Sequence, residues 1–342
     1  MILIRTCGDA RVGMGHLSRM LTLAATMRDD FNREVVFLVN RNVASEELIR
    51  SRGFNALTYQ EYSPECLGGV LDAIPVEQIV TCVIDAPEIE KNEVSLYKGL
   101  GIRVAVVVCK GPARLLADIN VFPVAHYDFL ALGWSGYQGA LLGGADFVVL
   151  PKEFTSRQAS GLIPYEKRRK ILVTMGGADP NSLTIMIMQA LRGVARDNPV
   201  EIVLGHNCRC KDEVRKINDE YDNVFAIREN IENMAPIMED AALAITALGI
   251  TIYELASMGV PTVVINNFSH DEDDADGLEK LGFMRLLGNY KNLTVEFLRN
   301  NLESLWNDLA SREVMANKAA MVTDGVGTRR ICAALLNQTG VA

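Results

Sequence analysis

Short apolar runs alternate with helically spaced apolar positions along most of the chain. Ile2–Ile4 reads as a buried strand, and Gly8, Gly13 and Gly15 punctuate the turn after it. Leu17, Met20, Leu21, Ala24 and Met27 then recur at helical spacing. Strand patterns follow over 34–39, 78–84, 103–109 and 118–122, with a helix over 44–52 that stops at Gly53. The Val-Ala-Val-Val-Val core of 103–109 is apolar on both faces, as in a covered parallel strand. Residues 133–144, with five glycines, Trp134 and Tyr137, read as an irregular connection, and the apolar stretch 145–150 is closed by Pro151. Residues 155–170 read as a polar linker ending in Lys167-Arg168-Arg169-Lys170, a basic cluster expected on a solvated face. A second series begins there, with strands over 171–175, 201–204, 224–227, 243–246 and 262–265 and a helix over 182–195. The pattern predicts an α/β chain of two doubly wound Rossmann-like domains, 1–155 and 156–342, facing across a cleft. The last helix is left free to pack back on the first domain.

Composition narrows the function. The chain has 342 residues, 49% of them hydrophobic and 23% charged, enough for two cores of ordinary size. A net charge of −9 without a basic stripe argues against nucleic-acid binding. No apolar run reaches membrane-spanning length, so a transmembrane chain is not expected, and the N-terminus enters strand pattern with no leader. The seven cysteines are scattered and odd in number, which suits reduced thiols in a cytoplasm. Nothing in the sequence fixes an oligomeric state.

Three strand-to-helix turns carry candidate chemistry. In open α/β sheets ligands bind beyond the C-terminal ends of the strands. His16 stands at the first such turn, where an imidazole either moves a proton near neutral pH or merely packs at a helix start. The surrounding Gly13-Met14-Gly15-His16 lacks the third glycine of a dinucleotide fingerprint, and Arg19 stands near where it would fall. Gly176-Gly177-Ala178-Asp179 follows a strand and opens a helix. Its backbone N–H groups form either a phosphate cradle or an ordinary tight turn. In Gly249-Ile250-Thr251-Ile252-Tyr253-Glu254 the glycine permits close approach, Thr251 can donate to a phosphate oxygen, and Glu254 can accept from a ribose hydroxyl or simply suit the helix dipole. Asp85, ending a central strand, either touches substrate or caps a helix. His270 is expected at a strand end, followed by an acidic run from Asp271 that reads as an exposed helix start. His206-Asn207-Cys208-Arg209-Cys210 has three soft ligands but no fourth at matching spacing, so a surface loop is preferred to zinc.

Taken together and in order, Ile4-Arg5, Gly13-Met14-Gly15-His16-Leu17-Ser18-Arg19, Met175-Gly176-Gly177-Ala178-Asp179-Pro180-Asn181, Thr251-Ile252-Tyr253-Glu254 and Gly259-Val260-Pro261 resemble the PseG/SpsG group. Gly133-Trp134, Gly136-Tyr137 and 149–154 belong to the same ordered set. These are GT-B-fold proteins of surface-sugar biosynthesis. PseG-like members are UDP-2,4-diacetamido-2,4,6-trideoxy-β-L-altropyranose hydrolases of the pseudaminic acid pathway; SpsG-like members are glycosyltransferases of spore coat polysaccharide. The resemblance implies a UDP-linked nucleotide-sugar substrate and neither metal nor other cofactor. It makes His16 the base, in an N-terminal acceptor domain, that activates water at the anomeric carbon with release of UDP. It implies a C-terminal domain that grips the nucleotide. Substrate contacts are then expected at Gly13, Gly15, Arg19, Asp85, Gly176, Gly177, Gly249, Ile250, Thr251, Glu254, His270 and Asp271. The departure falls at His270–Asp271, where PseG carries an Asn-Gln pair and this chain has a His-acid pattern closer to SpsG-like members. Transfer to a sugar hydroxyl, and a non-catalytic nucleotide-sugar-binding subunit, are the alternatives.

Overall fold

A computed structural model describes residues 1–8, 14–60, 69–71, 73–231, 233–267 and 277–337; the expectations at Gly13, His270 and Asp271 lie outside them. In chain order the regular elements are β1 (Ile2–Thr6), α1 (Gly15–Phe31), β2 (Val35–Asn40), α2 (Val43–Ser51), β3 (Asn55–Tyr59), β4 (Thr81–Asp85), α3 (Lys91–Gly99), β5 (Arg103–Val107), β6 (Ile119–Phe122) and β7 (Ala140–Gly143). Next come α4 (Lys152–Ser160), β8 (Lys170–Thr174), α5 (Leu183–Leu191), β9 (Val200–Leu204), α6 (Lys211–Glu220), β10 (Phe225–Glu229), α7 (Ala235–Glu239) and β11 (Ala241–Ala247). The chain continues with α8 (Thr251–Ser257), β12 (Thr262–Asn266), β13 (Met284–Asn289), α9 (Val295–Asn307), α10 (Leu309–Ala320) and α11 (Gly327–Leu335).

These elements form two compact units. Met1–Lys152 with Gly325–Ala342 make one, and Glu153–Asp324 make the other. The first holds a seven-stranded sheet, β3-β2-β1-β4-β5-β6-β7, and the second a six-stranded sheet, β10-β9-β8-β11-β12-β13. All pairings between neighbouring strands are parallel. In each sheet the first strand lies centrally and the chain later returns to its other side. The strand order therefore reverses between β1 and β4 and again between β8 and β11, which makes those two seams the topological switch points. Among the described residues no helix is long and apolar enough to cross a membrane.

The strands of the first sheet are apolar on both faces because both are covered. Ile2 and Ile4 of β1 join the core under α1, with Leu17, Met20 and Met27, while Leu3 joins the opposite core with Cys82, Ile84, Val94 and Tyr97. The same alternation along β4 sends Val83 to the α1 side and Ile84 away from it, so Asp85 returns to the α1 side. The core of the second unit centres on Ile171, Val173, Ile187, Ile202 and Ile245.

Several expectations need correction. The glycine-rich connection is irregular over 133–139 but then forms β7, which passes so close to Phe129 that a Cβ at Gly143 would stand 2.5 Å from the ring. The edge strands β3 and β13 carry polar residues and lack an apolar run, because an edge is only partly covered. The stretch 155–170 holds most of α4 rather than a bare linker. Its basic end is a solvated face only in part: Lys167 and Arg169 are exposed, the other two are not. Arg168 is buried and donates to Gly259 O at 2.8 Å, and Lys170 pairs with Glu201 and Asp240, each at 2.6 Å.

Helix α11 belongs to the first unit. Ile331, Cys332 and Leu335 pack into the α1 core, Thr328 Oγ1 donates to Leu150 O at 2.9 Å, and Thr81 donates to Leu335 O at 3.2 Å. A Cβ at Gly327 would collide with Val148 O and stand 2.8 Å from Phe147 C. Gly327→Ala should therefore destabilise by about 1–3 kcal/mol through overpacking. Gly193, with φ of −65° and nothing nearer to a Cβ than Glu303 Oε1 at 3.7 Å, is the control. Gly193→Ala should be neutral or stabilising by up to about 1 kcal/mol. Thermal melts of the two variants check the contrast.

Candidate functional site

The first cluster sits on the β1–β4 seam. Thr6 and Asp85 are register partners at the C-terminal ends of these strands, and α1 starts above them at Gly15. His16 and Arg19 are three residues apart, hence on one helix face. Both reach Asp85. His16 Nδ1 lies 2.8 Å from Oδ1, and Arg19 donates Nε–H to Oδ2 and Nη2–H to Oδ1, each at 2.8 Å. Asp85 is fully buried, and His16 is 25% exposed at its side chain. Burial pushes the Asp85 carboxyl up, but Arg19 and the hydrogen bond from His16 outweigh it and hold the group below its usual range. An ionised carboxylate only accepts, so the Nδ1 position carries the hydrogen. That leaves Nε2, on the opposite side of the ring, with its lone pair. Apart from its chain neighbours and its own helix backbone, no atom of the described residues lies within 4 Å of where a Cβ on Gly15 would be.

The second cluster sits on the β8–β11 seam, where Thr174 and Thr246 are register partners. The turn after β8 needs glycine at Gly176, with φ of +75°. A Cβ at Gly176, Gly177 or Gly249 would meet nothing within 4 Å among the described residues, so neither of these two turns is packed against another described element at those Cβ positions. The turn is held from outside. Asn207 N–H donates to Gly177 O at 2.9 Å, and Asn181 Nδ2 donates to Asn267 Oδ1 at 2.7 Å. Asp179 caps α5, its carboxylate accepting from Leu183 N at 2.8 Å and Thr184 N at 3.0 Å. Across the seam, Ile250 is the N-cap of α8 and Thr251 its first residue, so their N–H groups belong to the set that a helix leaves without intrahelical partners. Glu254 lies in the first turn of α8 and is half-buried. Burial, reinforced by the charge of Glu153, pushes its carboxyl up to about 7, against a hydrogen bond from Thr251 that favours the ionised form.

The structure thus brings His16, Arg19 and Asp85 together in one unit, and Gly176, Gly177, Gly249, Ile250, Thr251 and Glu254 together on one seam of the other. Asp85, expected at substrate or as a helix cap, has no exposed surface, and both its oxygens are taken up by His16 and Arg19. Arg19 is likewise committed to that carboxylate. The sequence marks Pro180 and Asn181 as turn and helix-start residues; the tie of Asn181 to Asn267 and the capping role of Asp179 emerge only in the structure. Nor is the Cys208–Cys210 segment a simple surface loop, because both thiols are buried while His206 and Arg209 between and beside them are exposed.

Comparison with known proteins agrees with this geometry. Residues 171–327 match the glycosyltransferase family 28 C-terminal domain. The chain is 26% identical over 273 residues, 77% of its length, to the uncharacterized protein MJ1062 of Methanocaldococcus jannaschii. It is 26% identical over 194 residues, 56% of its length, to the spore coat polysaccharide biosynthesis protein SpsG of Bacillus subtilis. The matched regions span 55% and 57% of those relatives, so the chain covers about half the length of each. Among solved structures it resembles MurG of Acinetobacter baumannii, with a TM-score of 0.72 at 15% identity, covering 98% of this chain and 99% of that one. It also resembles MnaA of S. aureus in its co-structure with UDP, with a TM-score of 0.62 at 12% identity, covering 99% and 98%. The two parallel-sheet units are those of the GT-B fold.

Proposed function

We propose that the chain cleaves the anomeric C–O bond of a UDP-linked sugar, with His16 as the base and a hydroxyl-bearing acceptor as the nucleophile. The second unit holds the donor and the first supplies the base. The observation that carries this reading is the hydrogen bond between His16 Nδ1 and the buried Asp85 carboxylate. It fixes the tautomer that presents a basic nitrogen outward, and the same carboxylate stabilises the imidazolium formed when that nitrogen takes a proton.

The steps follow from the groups present. The nucleophile's O–H proton passes to His16 Nε2 as its oxygen bonds to the anomeric carbon. The bond from that carbon to the diphosphate oxygen breaks, and UDP leaves with the electron pair. In this reading backbone N–H groups at Gly176–Gly177 and at Ile250–Thr251 donate to the diphosphate oxygens, as those of helix N-termini and glycine turns do; the support is the glycine turn at Gly176 and the start of α8 at Thr251. Glu254 accepts from ribose hydroxyls when ionised.

Transfer to a hydroxyl is favoured by the glycosyltransferase family 28 match and by the similarity to SpsG. Hydrolysis, the PseG-like reading, uses the same base with water as nucleophile and rests on the N-terminal Gly-His resemblance. Incubation with UDP-sugars alone separates them. Free UDP at catalytic rate without an acceptor means hydrolysis, and release only when an acceptor hydroxyl is added means transfer. In either case His16→Ala should lower kcat by about 10²–10⁴-fold while UDP affinity, measured by calorimetry, stays unchanged. Full turnover in that variant would leave only a binding role.

Glu254 gives a pH signature. Its folded-state pKa is raised from the ordinary 4.5 to about 7, so the folded protein holds the proton more tightly than the unfolded chain does. The resulting stability is present below pH 4.5 and is lost as pH rises through 7. Ribose hydroxyls favour the ionised form, so UDP affinity should instead increase through pH 7 and then level off. In Glu254→Gln, binding should be weaker and that pH dependence absent; a calorimetric series across neutral pH checks both.

A further inference from the structure

Two loops of the second unit lock together beneath Gly176 and Gly177. One joins β8 to α5, the other β9 to α6. A Cβ at Gly205 would collide with the carbonyl oxygens of both glycines, so the loops touch through backbone. At this junction Cys208, Cys210 and Asp179 converge, 7%, 6% and 4% exposed. The two Sγ atoms are 3.4 Å apart, Cys210 Sγ is 3.8 Å from Asp179 Oδ2, and one donor atom from each residue lies within 4.8 Å of the others. Both thiols are free.

We propose that Asp179, Cys208 and Cys210 form a binding site for a thiophilic divalent cation, zinc by its chemistry. Two thiolate sulfurs at about 2.3 Å from a tetrahedral zinc stand roughly 3.8 Å apart, and a sulfur and a carboxylate oxygen roughly 3.5 Å apart. The Cys208–Cys210 and Cys210–Asp179 separations differ from these values by a few tenths of an ångström, and the third pair lies within 4.8 Å. Asp179 Oδ2 spends one lone pair on Thr184 N and keeps the other. The two amide bonds fix the carboxylate as outer partners of a metal ligand do. Burial, Cys208 and the Asp179 carboxylate push the Cys210 thiol up to about 12, against a hydrogen bond from the Ser182 hydroxyl, so a dication is what would compensate the thiolate here. Asp179 and Ser182 are both held at positive φ, +44° and +52°, so the chain accepts backbone strain to place one ligand and one supporting hydroxyl.

The chemistry balances. Each thiol gives its proton to solvent as its sulfur bonds the cation, so two protons leave for one divalent ion. The bound set of two thiolates, one carboxylate and one dication carries a net charge of −1, beside the N-terminal amides of α5. Water fills the fourth position, and ions reach the site through the exposed His206–Arg209 side of the loop. The cation would staple the glycine turn to its neighbour. This assignment does not depend on what the glycine turn binds.

The test is to titrate the full-length, reduced, metal-free protein with Co²⁺ and read its absorption. One equivalent should bind with thiolate-to-cobalt charge-transfer bands. Zn²⁺ should displace it, and Zn²⁺ should raise the melting temperature. Cys208→Ser and Cys210→Ser should lose the bands. Ser182→Ala should retain them with affinity weakened by about 10–100-fold. Absence of charge-transfer bands in the folded wild-type protein overturns the proposal, whatever the variants do. Bands of unchanged strength in both cysteine variants overturn it as well, because the thiolates then come from elsewhere in the chain.

Discussion

The arrangement of the first unit depends on one buried charge. A carboxylate sealed from water costs several kcal/mol unless a partner compensates it. Asp85 is so sealed, and the bidentate grip of Arg19 compensates it. Three separate features of the chain must agree for that grip to form. The alternation along β4 must turn Asp85 toward α1, β1 must pair so that Thr6 and Asp85 end level, and α1 must begin early enough to put His16 and Arg19 on one face above them. Once they do, His16 has no freedom in its tautomer. The ion pair is therefore structural in its energetics and chemical in its consequence.

The two units repeat one solution with different side chains. At the β1–β4 seam the strand ends present charged side chains around an imidazole, and at the β8–β11 seam they present amides and glycines. A diphosphate carries negative charge, as does the protein as a whole, at −9. Under the proposed function that is no obstacle to binding. Exposed charges more than about 8 Å away are screened at physiological ionic strength, so the local amides decide.

Much of this was legible in the sequence for a physical reason. Strands covered on both faces must be apolar throughout, so β1, β5, β8, β11 and β12 stand out as runs, and their regular alternation with helices predicts parallel sheets. His16 and the glycine turns follow from their places after those strands. The edge strands β3, β7 and β13 did not stand out, since half-covered strands tolerate polar residues and glycine. The link of Asp85 to His16 and Arg19 is invisible in one dimension because it depends on which strands pair and on where α1 starts. The burial of Cys208 and Cys210 is hidden in the same way. Their partner Asp179 sits at the start of a different βα unit, and short-range spacing rules do not look across units.

The stiffness of the glycine turn is the remaining constraint. A flexible loop could offer the same amides, but ordering it costs about 1–2 kcal/mol per residue when the ligand arrives. Here the order is already present. Gly205 abuts the carbonyls of Gly176 and Gly177, Asn181 is tied to Asn267, and Asp179 holds the start of α5. The left-handed conformations at Asp179 and Ser182 each cost about 1–2 kcal/mol and must be offset by the core beneath, where Leu183 and Ile187 are buried. Strain accepted in the folded chain is worth keeping only if it removes a larger cost later. Amides fixed in advance toward a developing charge need no reorganisation at the moment of bond cleavage, which is where electrostatic stabilisation counts most.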